Sequence, residues 1–224
     1  MIGRLLAEAL GTFFLFATVM GAGIMADNLA GGNVAVALIG TTLPIGAILY
    51  VIIVMLGPVS GAHFNPVVTL VFRLRGEIEN GVALAYVITQ VASGILAAFA
   101  VHLMFDLPIL QVADTPRTGI GQWAGEVVAT FGLILTILAT LRARPDAVPI
   151  SVALYIFAAC WFTSSTSFAN PAITIARSFT DTFTGIAPAD IPAFVIAQIA
   201  GALLAMGVAA VLFAGGGESA GEAA

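Results

Sequence analysis

The sequence predicts an all-α membrane protein with six transmembrane helices and two re-entrant half-helices, arranged as an inverted repeat. Three observations predict it: an apolar composition, six long apolar runs, and two Asn-Pro segments in matching contexts. Of the 224 residues, 60% are hydrophobic and only 8% are charged. Soluble domains carry roughly 25% charged residues, so this composition excludes an ordinary soluble fold.

Six apolar runs each approach or exceed the roughly 20 residues that span a bilayer as a helix. They are residues 5–26, 35–56, 81–105, 123–141, 147–163 and 191–214. The runs are continuous and rich in Ala and Leu, whereas membrane strands alternate in polarity. The first run is too long for the core of a signal peptide and contains Glu8, so it is assigned to the first helix.

The distribution of basic residues predicts the orientation. All seven are arginines, and with a cytoplasmic N-terminus five of them lie inside: Arg4, Arg73, Arg75, Arg142 and Arg144. Only Arg117 and Arg177 then lie outside, which obeys the positive-inside rule. We therefore expect both termini to be cytoplasmic. The arginines form no basic cluster, which argues against a nucleic-acid partner. The single cysteine, Cys160, is expected to be a packing residue.

The two halves of the chain resemble each other in three places. AEALGTFFL (7–15) parallels GEVVATFGL (125–133), HFNPVVTL (63–70) parallels FANPAITI (168–175), and TQVASGILAAFA (89–100) parallels AQIAGALLAMGV (197–208). Three crossings per half make the second half enter from the opposite face, so the repeats are inverted. We expect one domain over 1–214, with repeats at about 1–106 and 120–214. Residues 215–224 are expected to form a disordered cytoplasmic tail.

Each Asn-Pro segment lies between two spanning runs and is too short to cross again. NPVVTLVFR and NPAITIARSF are half a bilayer long as helices at about 1.5 Å per residue. Asn is a favoured N-cap and Pro a favoured first helical residue, so the half-helices begin at Asn65 and Asn170 near the midplane. Their side-chain amides can donate hydrogen bonds to a solute there.

The segments 57–63 and 163–168 lead into the half-helices. Non-helical backbone at membrane depth is tolerated only where it is buried or lines a water-filled cavity. We therefore expect backbone carbonyls of these loops to line a pore, at Gly61, Ala62, His63, Ser165 and Thr166.

SGAHFNPVVTL and FANPAITIAR resemble the paired asparagine-proline-alanine boxes of the aquaporin family, also called major intrinsic proteins. The first box departs from that pattern with Val67 in place of Ala. The resemblance implies a homotetramer in which each protomer has its own pore. It also implies that four buried residues brace the re-entrant loops: Glu8, Glu126, Gln90 and Gln198. No nucleophile–base or metal-ligand constellation is visible, so neither catalysis, nor a metal, nor a cofactor is expected.

In most members of that family an Arg follows the second box and narrows the outer mouth. Here Ile173 occupies that position, and ungapped counting places the other selectivity-filter residues at Ile45, Ala158 and Ser167. A slip of one residue on the fifth spanning helix would give Phe157 or Ala159 instead of Ala158. Such a filter has no charge and no ring, so it should be wide and apolar.

Arg177 lies four residues after Ile173, on nearly the same helical face one turn further out. It either restores positive charge in the vestibule or faces the outer loops and pairs with Asp181.

An aliphatic residue at position 173 resembles a bacterial subgroup associated with arsenic-resistance genes. That resemblance implies a passive inner-membrane channel for small uncharged solutes: glycerol-like polyols, arsenous acid and related metalloid hydroxides, with some water. Its partners would be membrane lipid and small neutral solutes. The alternatives are a water-selective aquaporin, a secondary transporter or a structural membrane protein. A water channel should show an Arg and an aromatic or His at the filter, and a transporter requires a coupling-ion site.

Overall fold

The structure is a computed structural model that describes residues 1–214, so the predicted tail at 215–224 lies outside the described residues. Within that range the chain is helical, without strands. Its eight α-helices are α1 (Ile2–Leu29), α2 (Val34–Ser60), α3 (Pro66–Leu74), α4 (Asn80–Met104), α5 (Ile120–Ala143), α6 (Val148–Phe162), α7 (Pro171–Ala176) and α8 (Ile191–Leu212). Short 3₁₀ turns precede α6 and α8, and a third, Arg177–Phe179, follows α7.

Six of these helices are long and apolar enough to cross a membrane: α1, α2, α4, α5, α6 and α8. The α6 span reaches 18 residues only when its preceding 3₁₀ turn is included, Pro145–Phe162. The predicted runs agree with the observed helices to within a few residues at each end. The predicted fold class of six spanning helices plus two half-helices is therefore confirmed.

The two halves pack in the same way. Helix α1 packs on α2 and α4, and α5 packs correspondingly on α6 and α8. The halves meet where α2 packs on α6. The short helices α3 and α7 occupy equivalent places, since each contacts α4 and α8 and the two contact each other.

Both half-helices begin at the predicted asparagines. Asn65 and Asn170 have extended backbones, with φ of −156° and −157°, and each side chain accepts a backbone N–H from the first turn of its own helix. Two details correct the prediction. Helix α2 continues to Ser60, so the first loop is only 61–65, because Pro58 does not end the helix. Helix α7 has only six residues before it tightens into the 3₁₀ turn at Arg177.

Helix α8 approaches the backbone of α5 closely at Gly201. A Cβ atom built on Gly201 would lie 2.4 Å from the carbonyl oxygen of Val127 and 3.0 Å from the amide nitrogen of Phe131. Backbone atoms of a packed helix cannot rotate away as a flexible side chain can. Only glycine therefore permits this spacing of the two helices.

We expect Gly201→Ala to destabilise the protein by about 1–3 kcal/mol, because α8 must move away from α5 to admit the methyl group. Thermal unfolding of the purified protein in detergent measures the loss. Gly207→Ala on the same helix is the matched control, since a Cβ there meets no atom within 4 Å. Equal stability of the two variants would contradict the close crossing.

Candidate pore and its two re-entrant loops

One cavity of about 570 Å³ runs between the two halves of the protein. We call the side on which α1 begins the inner side. Leu141 and Pro145, at the α5–α6 junction, line the inner end of the cavity, and Cys160 and Arg177 line its outer end. Between these ends it passes both half-helix asparagines. A single cavity therefore connects residues from the two faces of the helical bundle.

The two asparagines clasp the halves together at the middle of this cavity. Asn65 Nδ2 donates to the carbonyl oxygen of Ala169 at 2.8 Å, and Asn170 Nδ2 donates to that of Phe64 at 2.9 Å. Their Oδ1 atoms cap their own half-helices. Since an amide NH₂ carries two hydrogens, each asparagine keeps a second N–H beyond this clasp.

The loops before the asparagines share an unusual backbone conformation. Ala62 and Phe64 in the first loop, and Ser167 and Ala169 in the second, have left-handed φ between 47° and 52°. In each loop, one of these two residues lies three positions before the asparagine and the other lies directly before it. Non-glycine residues rarely adopt this conformation, which costs about 1–3 kcal/mol each unless the surroundings enforce it.

Six carbonyl groups of these loops make no hydrogen bond to other groups within residues 1–214. They belong to the cavity-lining residues Gly61, Ala62, His63, Thr166, Ser167 and Phe168, which form two equivalent triplets. A backbone carbonyl at membrane depth needs a partner. These acceptors are consequently available to whatever occupies the cavity.

Glu8 of α1 satisfies the amide groups of the first loop. Its Oε1 accepts from Ser60 Oγ at 2.7 Å and from the His63 N–H at 3.0 Å. Its Oε2 accepts from the Phe64 N–H and from Gln90 Nε2, both at 2.8 Å. Each carboxylate oxygen therefore binds one loop amide and one side chain.

Glu126 of α5 does the same for the second loop. It accepts from the N–H groups of Phe168 and Ala169, each at 2.9 Å, and from Gln198 Nε2 at 2.6 Å. Gln90 and Gln198 also donate to hydroxyl groups on the half-helices, those of Thr69 and Thr174. These are the contacts that the bracing prediction requires of the four residues.

Three of the four residues predicted for the selectivity filter line the cavity: Ile45, Ser167 and Ile173. Ala158 does not, because its side chain is exposed on the outside of α6, and Phe157 and Ala159 do not line the cavity either. Five residues of α6 line the cavity, and four of them are spaced four apart on one face: Val148, Val152, Ile156 and Cys160, with Pro149 beside them. An error of two residues rotates a helical position by about 200°, so ungapped counting chose the wrong face.

Cys160 thus lines the outer part of the cavity, although the sequence suggested only packing. The apolar spacing along α6 is the signal that could have identified it. Among the predicted carbonyl positions, Ser165 is also corrected: it is fully buried off the cavity, with its Oγ accepting from the Ser167 N–H. Phe168 lines the cavity in its place, two residues before Asn170 as His63 is two before Asn65.

Arg177 lines the outer end of the cavity and is only 6% exposed. Its Nε donates to the carbonyl oxygen of Thr184, and its guanidinium carbon lies 3.4 Å from the centroid of the Phe168 ring. It forms no ion pair with Asp181, which instead accepts from the Asp114 N–H at 3.3 Å. Of the two alternatives for Arg177, the structure shows the cavity-facing one.

The described residues form a helical bundle with a cavity between its halves, two half-helices that meet beside the cavity, and loop carbonyls along it without a partner in that range. This is the architecture of a membrane channel. The sequence profile of the family "Major intrinsic protein" matches residues 1–164. Aquaglyceroporin AqpS of Rhizobium meliloti (strain 1021) is 56% identical over 203 residues, which cover 91% of this chain and 87% of that protein. A probable aquaporin NIP-type of Nicotiana alata is 35% identical over 136 residues, 60% of this chain and 49% of that protein.

Among solved structures, the X-ray structure of the aquaglyceroporin from Plasmodium falciparum matches with a TM-score of 0.71. The match covers 94% of this chain and 96% of that one at 18% identity, which shows a common fold. The chain therefore belongs to the major intrinsic protein family, a family of channels rather than enzymes, and the predicted resemblance is confirmed.

We expect Glu8→Gln to lower stability by about 1–3 kcal/mol, because both carboxylate oxygens accept from N–H donors. Either orientation of a glutamine amide would place an NH₂ group against one of those donors. Thermal unfolding in detergent is the measurement. Asp27→Asn, an exposed change on the same helix, is the control and should be neutral. An unchanged melting temperature for Glu8→Gln would contradict the bracing role.

Proposed function

We propose that this protein is a passive channel for small uncharged solutes: glycerol-like polyols, arsenous acid and related metalloid hydroxides, with some water. The observation that carries the proposal is a cavity lined by six loop carbonyls that have no hydrogen-bond partner within residues 1–214. The high identity to a protein named as an aquaglyceroporin supports the same class of solute.

The walls of the cavity suit molecules with hydroxyl groups on one side and a less polar surface on the other. A hydroxyl can donate to the loop carbonyls and accept from the remaining N–H of Asn65 or Asn170. Most other lining residues are aliphatic or aromatic, and carbon atoms of a polyol can pack on them. Arsenous acid is neutral at pH 7 and carries several hydroxyls like glycerol, so the same contacts serve it.

The residues at the outer end of the cavity favour passage of solutes larger than water over strict selection for water. Ile45, Ser167 and Ile173, with Cys160 from α6, present neither a ring nor a charge. Arg177, one turn beyond Ile173, supplies positive charge that repels cations without narrowing that level. An ion also loses hydration at aliphatic walls that offer it no replacement ligands.

The alternatives fit these contacts less well. A water-selective channel would use a charged, narrow filter, which Ile173 does not provide. A secondary transporter requires a coupling-ion site, but Glu8 and Glu126 are already engaged by loop amides and glutamines. A structural role makes no use of the lined cavity.

We also propose that residues 1–214 form one channel domain and that the protein acts as a homotetramer in a bacterial inner membrane with both termini cytoplasmic. Six crossings place the start of α1 and the end of α8 on the same side, which fits the distribution of arginines. The relative from Rhizobium meliloti supports the bacterial setting.

Stopped-flow light scattering on reconstituted vesicles tests the channel function. Water, glycerol and arsenous acid are compared in one preparation, with empty liposomes as the control. We expect glycerol and arsenous acid flux well above that of empty liposomes. Fast water flux with background solute flux would overturn the proposal in favour of a water-selective channel, and background flux of all three would favour a structural role.

We expect Ile173→Arg to reduce glycerol and arsenous acid flux at least severalfold while reducing water flux less, because the longer charged side chain narrows the level of Ile45 and Ser167. Ile173→Leu, which keeps an apolar side chain of similar volume, is the control and should conduct like the wild type. Unchanged solute selectivity in Ile173→Arg would refute the assignment of Ile173 to the filter.

A further inference from the structure

Buried Arg177 lines the outer end of the cavity, half-buried Arg117 lies close to it, and neither forms an ion pair within residues 1–214. Both guanidinium carbons approach the centroid of the Phe168 ring, at 3.4 Å for Arg177 and 5.0 Å for Arg117. Within residues 1–214 the ion pairs are Arg75–Glu77 and Arg144–Asp146, both at the inner side. The buried charge of Arg177 is screened little by salt.

The carboxylates near the outer mouth are held elsewhere. Asp190 accepts the backbone N–H of Arg117 at 2.7 Å, and the Arg117 side chain donates through Nε to the carbonyl oxygen of Gly185 at 2.7 Å. Asp181 accepts from the backbone of Asp114. Glu126, deeper in the protein, is occupied by the second loop. Within residues 1–214, therefore, no carboxylate oxygen lies within ion-pair distance of either guanidinium.

The guanidinium of Arg177 is held in place with its outer edge unused. Nε donates to Thr184, and the flat face stacks on Phe168. The two Nη groups make no hydrogen bond to residues 1–214, although Arg177 is nine-tenths buried and lines the cavity. A planar fork of N–H groups fixed in this way matches the two coplanar oxygens of a carboxylate.

The residues around the Arg177 guanidinium indicate what the remainder of a bound ligand should look like. One helical turn below Arg177, the Ile173 and Ile45 side chains present an aliphatic surface. A ligand that satisfies all of these groups has an anionic pair of oxygens at one end and a short apolar tail at the other.

We propose that the outer vestibule is a binding site for small monocarboxylate anions. The carboxylate oxygens bind the Nη groups of Arg177, Arg117 adds attraction at longer range, and the apolar tail lies on Ile173. Inorganic phosphate carries charge but has no apolar end, so it matches the site less well. A bound anion occupies the route of neutral solutes and slows their entry from outside, a consequence that rests on the proposed channel function.

Ligand-dependent thermal unfolding of the purified protein at pH 7 and constant ionic strength tests binding without any flux. Acetate is compared with acetamide, its neutral isostere, and with inorganic phosphate. We expect a saturable rise in melting temperature with acetate, since a ligand that binds only the folded state stabilises it. No rise with acetate, an equal rise with acetamide, or a larger rise with phosphate would each overturn the proposal.

Two variants locate the site. Arg177→Gln should abolish the saturable acetate effect, whereas Arg144→Gln, an exposed arginine at the inner side, should keep it. Retention of the full effect in Arg177→Gln would overturn the assignment. Should Arg177→Gln fail to fold, Arg177→Lys retains the charge without the planar fork and should weaken acetate binding at least tenfold; unchanged binding would equally count against the site.

Flux measurements separate this inference from the proposed function. External acetate at ten times its dissociation constant should slow glycerol influx about tenfold by simple occupancy, and acetamide should not. If acetate stabilises a protein that conducts no solute, the channel proposal is overturned and the anion site is supported. If the protein conducts solutes but acetate changes neither its stability nor its flux, the channel proposal is supported and the anion site is overturned.

Discussion

The structure depends on how two stretches of non-helical backbone are stabilised at membrane depth. A carboxylate can only accept hydrogen bonds, so Glu8 and Glu126 draw the N–H groups of each loop to the side facing their helices. Left-handed residues recur along the same loops, and successive carbonyls there have no hydrogen-bond partner within residues 1–214. The bracing and the polar lining of the cavity are thus two sides of one arrangement of the backbone.

The inverted repeat is needed because neither loop is complete alone. The carbonyl of Phe64 receives its hydrogen bond from Asn170, and that of Ala169 from Asn65. Each asparagine therefore caps its own half-helix with Oδ1 and holds the opposite loop with Nδ2. Two copies related by inversion bring both amides to the same depth, whereas a single repeat would leave buried polar groups unpaired.

At the outer mouth, the apolar wall and the positive charge come from two different residues. We propose that Ile173 sets the width and apolar character of the cavity at the level of Ser167; Arg177 lines the same cavity one helical turn further out. Stacking on Phe168 and the hydrogen bond to Thr184 hold that charge at the wall of the cavity. In this proposal, size and charge are discriminated at different depths of the same cavity.

The sequence by itself determined the six spans, the inverted repeat and the start of each half-helix, because span length, hydropathy and N-capping are local properties. It also placed Ile45, Ser167 and Ile173 on the cavity wall. Only the tertiary structure decided that Cys160 rather than Ala158 faces the cavity, that Ser165 lies off it, and that Arg177 faces the cavity at its outer end. A side chain's direction on a helix changes by about 100° per residue. The packing of α6 and α7 against their neighbours therefore sets which residue faces the cavity, and residue spacing alone does not contain that rotation.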